Sequence, residues 1–141
     1  MPAAGMCGYF DEEYGSQIQI GMAEANATLG RTQDEIAAGI QRAGSIFGVL
    51  PDHLPNVWIV EHVATRPEFR RRGLVERLMG AILERGRERG ATIADIGVYI
   101  NNDPAQRAYE KCDFAVIDEK RSAAFEAAYG SPGVRALRRE I

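Results

Sequence analysis

In the stretch EFRRRGLVERLM, Glu68 to Met79, the residues Arg70, Arg71 and Arg72 run into Gly73 and then into an apolar pattern of helical period. A helix starting there presents first-turn N–H groups that lack intrahelical partners and lie at the positive end of the helix dipole. That arrangement suits a phosphate or pyrophosphate. Gly73 lets the backbone approach such a ligand closely, and the arginines can add charge-assisted contacts at its rim. A plainer reading stays open, in which Gly73 only starts a helix and the arginines are solvated. Nucleic acid is not an expected partner. The 17 basic and 20 acidic side chains leave a net charge of −3, and no aromatic residues alternate with the arginines to stack on bases.

The loop needs a strand before it and a helix after it, and the sequence offers both. VWIVEHVAT, Val57 to Thr65, reads as a buried strand interrupted by Glu61 and His62 and ended by Pro67. Beyond Gly73, Val75, Leu78, Met79, Ile82 and Leu83 recur at helical spacing until Gly90 closes the helix. TIADIGVYI, Thr92 to Ile100, is a second strand, so the three elements form a βαβ unit. A short helix follows, with Asn102 or Asp103 as its cap and Pro104 at its first position, and Phe114 to Lys120 is a closing strand. The tail SAAFEAAYGSPGVRALRREI reads as two short helices split at Gly130 to Gly133. Upstream, Ala3 to Phe10 reads as a strand with a turn in DEEYGSQ after it, Ser16 to about Leu29 as a helix, and Thr32 with Glu35 as a capping box for a further helix. Val49 to Asn56, with two prolines, is a loop.

At 141 residues, with 45% hydrophobic and 26% charged side chains, the chain is expected to be a single domain spanning 1–141, without repeats or linkers. The start MPAAGMCGYF has no basic n-region, and no apolar run approaches the roughly 18 residues needed to cross a bilayer. The expectation is a soluble, cytoplasmic protein with no membrane partner. Cys7 and Cys112 have neither CxxC spacing nor His companions, so no metal site is expected.

Two motifs carry a family resemblance. VATRPEFRRRGLV resembles the strand-loop-helix signature V-x-P-x-[YF]-[RQ]-x-x-G-x-[GA] of the GNAT superfamily of N-acetyltransferases, with the proline displaced by one residue. NDPAQRAYEKCDF, from Asn102 through Ala105 and Tyr109 to Phe114, resembles its N-x-x-A-x-x-x-Y-x-x-x-G-F. The ordered pair across a βαβ unit covers residues 63 to 114. It implies an α/β fold, a central mixed sheet flanked by helices, with an acetyl-CoA-binding core over 57–120. It also implies that Val63, Ala64 and Thr65 hold the pantetheine arm and thioester through their backbone groups. Amides from Arg71 through Gly73, Leu74 and Val75 to about Glu76 would cradle the pyrophosphate, with Arg70, Arg71 and Arg72 assisting. Asn102 would contact the cofactor through its side-chain amide, and Tyr109 would point its hydroxyl at the CoA sulfur. Acyl transfer to an amine forms an oxyanion that a strand amide can stabilise, and expels a thiolate that a phenol can protonate.

The amine nucleophile must also lose a proton, and Glu61 is the candidate base. Strict alternation puts Ile59, Glu61, Val63 and Thr65 on one face and Val60, His62 and Ala64 on the other. The resemblance favours the Glu61 side for the acceptor amine, whether a small molecule or a protein. Where some relatives carry a catalytic glutamate on the second strand, this sequence has Gly97, so that route is closed and ordered water is an alternative. Two positions depart from the pattern. Val75 replaces a glycine or alanine and is expected to crowd the pyrophosphate or tilt the helix, while Asp113 replaces a glycine that Asp can imitate in left-handed geometry. The N-terminal part looks shortened, with one strand where the family usually has two or three. That shortening also allows a non-catalytic acyl-CoA-binding module. An exposed sheet edge at Ala3 to Phe10 needs a cover, from which a homodimer is expected.

Overall fold

The computed structural model describes residues 1–141 apart from the side chains of residues 15–19. Strand β1 (Ala4–Phe10) leads into helix α1 (Asp11–Thr28) and then α2 (Gln33–Gly44). After a long loop come β2 (Trp58–Thr65), a single 3-10 turn at Pro67–Phe69, α3 (Leu74–Glu88) and β3 (Ile93–Tyr99). The chain closes with α4 (Asp103–Glu110), β4 (Ala115–Arg121), α5 (Ala123–Tyr129) and β5 (Gly133–Glu140). The strands form one mixed sheet in the order β1-β2-β3-β5-β4, in which β2 and β3 are parallel and every other pair is antiparallel.

One face of the sheet carries the main core. Trp58 and Val60 of β2, Ala94, Ile96 and Val98 of β3, and Leu137 of β5 are buried there against Met79 and Leu83 of α3 and Tyr109 of α4. Trp58 is wedged between two glycines. A Cβ at Gly8 would stand 2.7 Å from its ring and one at Gly86 would stand 2.8 Å from it. Phe10 meets the same ring edge-on at 5.1 Å.

Two expectations are corrected. The polar DEEYGSQ stretch is the start of α1 rather than a turn, because Asp11, Glu12 and Glu13 suit the positive end of a helix. The second half of the tail is a strand, not a helix. Gly130, at φ 71°, ends α5, and β5 then inserts between β3 and β4. Ala, Leu and Arg favour helices in isolation, but pairing on both edges overrides that preference. The inserted strand also settles its arginines. Arg135 binds Glu119 at 2.7 Å, Arg138 binds Asp95 at 2.7 and 2.8 Å, and Arg139 donates to the Cys112 carbonyl at 2.7 Å.

Candidate active site

Strands β2 and β3 part company midway along their length. Their ladder runs from Trp58 opposite Ala94 to Val60 opposite Ile96, although β2 continues to Thr65 and β3 to Tyr99. Beyond the last rung the β3-facing backbone of residues 61–65 has no strand partner on that side. A cavity of about 590 Å³ fills the opening. Its walls include Val63, Val98 and Tyr109 from the core face and Glu61, Gly97 and Tyr99 from the opposite face, so the cavity passes through the sheet.

A bulge in β2 shapes one wall. His62 has φ 55°, and the pairing with β1 slips there, from Glu61 opposite Cys7 to Ala64 opposite Gly5. The extra residue reverses the alternation. Val63 therefore packs against the core with Val60, which corrects the expectation that it shares a face with Glu61.

At the far end of β2 lies the arginine loop. Arg71 at φ 60° and Gly73 at φ 67° curl the backbone, and α3 makes its first internal bond only from the Arg77 amide to the Gly73 carbonyl, at 3.2 Å. Among the described residues, the N–H groups from Arg71 through Leu74 and Val75 to Glu76 have no acceptor. Such consecutive free amides form an anion-binding concavity. Arg70 braces the loop by donating to the Thr65 carbonyl at 3.3 Å, and Arg72 lies over the Phe69 ring at 5.1 Å. Val75 is partly buried and packs against the core. Asp113 has φ 62°, the left-handed geometry foreseen for it.

Asn102 caps α4 by accepting from the Ala105 amide at 3.4 Å and also lines the cavity. Tyr109 is buried in the wall, and its hydroxyl has no hydrogen-bond partner among the described residues. Burial pushes its pKa up to about 12, so the phenol holds its proton at neutral pH.

On the opposite face, Glu61 accepts from the Tyr9 hydroxyl at 2.6 Å and stands 3.7 Å from His62 Nε2. The Tyr9 and Tyr14 rings stack at 4.1 Å, and the Tyr14 hydroxyl lies 3.3 Å from His62 Nε2. Burial first, then the hydrogen bond and charge of Glu61, raise the pKa of Tyr9. A second polar group has its root in the sheet. Asp95, 1% exposed on β3, holds Arg138 in a two-pronged pair and lies 3.1 Å from Nδ1 of His53. Burial works against its charge, but the bonds and charges of Arg138 and His53 outweigh burial and keep its carboxyl below the usual range. Sequence reasoning missed Tyr9, Tyr14, His53, Asp95 and Arg138. The signal for one was present, since an aspartate inside the apolar run TIADIGVYI must find a cation.

The chain matches the Acetyltransferase (GNAT) family over residues 7–114. It belongs to that family. A comparison with curated proteins gives no match. Among solved structures, an acetyltransferase aligns with 99% of this chain and 64% of its own, at 18% identity and a TM-score of 0.65. An IAA acetyltransferase from Bacillus cereus aligns over 64% of this chain and 65% of its own, at 15% identity and TM-score 0.57. A Bacillus subtilis acetyltransferase in complex with CoA aligns over 64% of each chain, at 16% identity and TM-score 0.54. These likenesses show the fold. This chain spans less than two thirds of the length of these solved relatives.

Proposed function

We propose that this chain is an N-acetyltransferase that moves an acetyl group from acetyl-CoA directly to a primary amine of a small molecule or protein. The cavity at the parting of β2 and β3 carries this reading, because it puts the Tyr109 hydroxyl, Asn102 and the Glu61 carboxylate around one opening, while β2 leads on from it to the free amides of the arginine loop. Acetyl-CoA, when bound, supplies the activated acyl group and a thiolate leaving group.

The residues present fit that ligand. The free amides from Arg71 to Glu76 suit its pyrophosphate, and a side chain at Gly73 would be strained by its φ of 67° and pressed to 3.3 Å from Glu76 Oε2. Thr65 Oγ1 is buried without a partner beside the same loop. A buried hydroxyl in that state costs stability unless something bonds it. The β3-facing side of the β2 backbone from Val63 through Ala64 to Thr65, which has no strand partner there, suits the pantetheine amides, and Asn102 stands at the cavity wall. Tyr109 keeps a protonated hydroxyl in the opening, ready to donate toward a departing sulfur. Glu61 presents a carboxylate on the acceptor face, where it draws an ammonium group in and offers one route for its proton. The same reading takes residues 1–141 as one catalytic unit, working as a homodimer in the cytoplasm with no nucleic-acid or membrane partner. Among the described residues no helix is long and apolar enough to cross a membrane.

Calorimetry with acetyl-CoA is the first test, and no binding at millimolar concentration would sink the reading. A CoA-release assay against a panel of amines comes next. Tyr109→Phe is expected to lower kcat by about 10²-fold with little change in KM for acetyl-CoA. Tight binding with only background hydrolysis on every amine would instead make the chain an acyl-CoA-binding module.

A further inference from the structure

Gly97 leaves the acceptor face without the side chain that a proton acceptor on β3 would need, yet a histidine reaches that face from elsewhere. In parallel register, Ile59 lies opposite Asp95, one rung before the ladder ends at Val60 and Ile96. Asp95 therefore sits at the closed end of the opening, on the same face as Glu61 and Gly97. His53, from the loop between α2 and β2, lines the cavity there with its side chain only 17% exposed. Its Nδ1 is held by Asp95, and its Nε2 has no hydrogen-bond partner among the described residues. An Nδ1–H bonded to a carboxylate fixes the tautomer whose Nε2 carries a free lone pair. Arg138 in turn fixes both oxygens of Asp95.

We infer that His53, oriented by Asp95 and Arg138, is the group that takes the proton from the acceptor amine. This inference rests on the acetyltransferase reading above. Alkyl amines are mostly ammonium ions at neutral pH and have no lone pair to attack with. Glu61 attracts the cation, and an N–H bond breaks with its electron pair left on nitrogen. The proton lodges on Nε2, and the imidazolium is stabilised by Asp95 before it releases the proton to solvent at the mouth. His53 is the catalytic residue in this step, and Asp95 and Arg138 are positioning residues. The other charged or titratable groups around the imidazole are Asp52, paired with Lys120 of β4 at 2.7 Å, and, across the cavity, Glu61, His62, Tyr14, Tyr99 and Tyr109.

His53→Gln tests the step with little risk to folding, because the residue lies on a loop. The variant is expected to lose about 10²-fold in kcat/KM near neutral pH. Its acidic limb should move to higher pH, with activity recovering only as rising pH supplies free amine, which a merely structural lesion would not do. Glu61→Gln should keep the limb and raise KM for the amine. Separately, 15N spectra of histidine-labelled protein without ligands should show His53 as the Nδ1–H tautomer in the wild type, with that preference lost in Asp95→Asn. A His53→Gln profile parallel to wild type, or a proton found on Nε2 of the neutral ring, would overturn the inference alone. A wild-type chain that binds acetyl-CoA and acetylates no amine would overturn it together with the proposed function.

Discussion

A carboxylate almost out of reach of water must be either neutral or well paired, and Asp95 is paired. The two-pronged bond to Arg138 and the contact with His53 hold its pKa below the ordinary aspartate value of about 3.9. A depressed folded-state pKa contributes stability that is complete above the unfolded value and disappears as pH falls through the folded one. Asp95→Asn should therefore cost about 3 kcal/mol at pH 7, because it leaves Arg138 partly buried without its counter-charge. The gap between variant and wild type should begin to close as pH falls below about 4, where the unfolded carboxyl takes up a proton, and vanish once the folded carboxyl is protonated too and comes to resemble the amide. Urea midpoints measured across that range check the sign. A gap that stayed constant would mean that the carboxylate's charge is not what the pair contributes.

The arrangement of elements decides which residues meet, and it explains what the sequence showed and what it hid. The strand, loop and helix from Val57 to Gly90 were legible because their periodicities are strong and Gly73 punctuates them. The free amide run was legible for the same reason, being fixed to the start of a local helix, whereas Tyr109 was singled out by the family resemblance alone. The bulge at His62 was not, because nothing in WIVEHVAT demands an extra residue, and a slip of one position moves Val63 to the other face. Nor was the His53, Asp95 and Arg138 group, since its members lie on a loop and two strands that only the insertion of β5 brings together. One interlock between elements makes a direct prediction. Gly86 of α3 and Gly8 of β1 both lie against the indole of Trp58, and a Cβ at Gly86 would stand 2.8 Å from the ring. Gly86→Ala would raise helix propensity on an isolated helix, yet here overpacking should dominate and cost about 1–3 kcal/mol. Thermal denaturation should show a lower Tm, and an unchanged or raised Tm would mean that α3 can shift away from β1 without loss.

At the scale of the whole molecule, the sheet ends on one side in β1, whose outer edge has no partner strand among the described residues. Helix α2 buries none of its residues, and Ile40, within it, and Phe47, just beyond it, are 63% and 77% exposed. Uncovered edges and apolar side chains of this kind are liabilities unless another surface meets them. Light scattering at micromolar concentration should give about twice the 15.5 kDa chain mass, and Phe47→Glu should lower it toward one chain. A monomeric wild type would count against the homodimer. The parting of β2 from β3 has a consequence for traffic. In the reaction proposed here, a passage lined from both faces of the sheet would let the spent carrier and the acetylated amine leave by opposite exits.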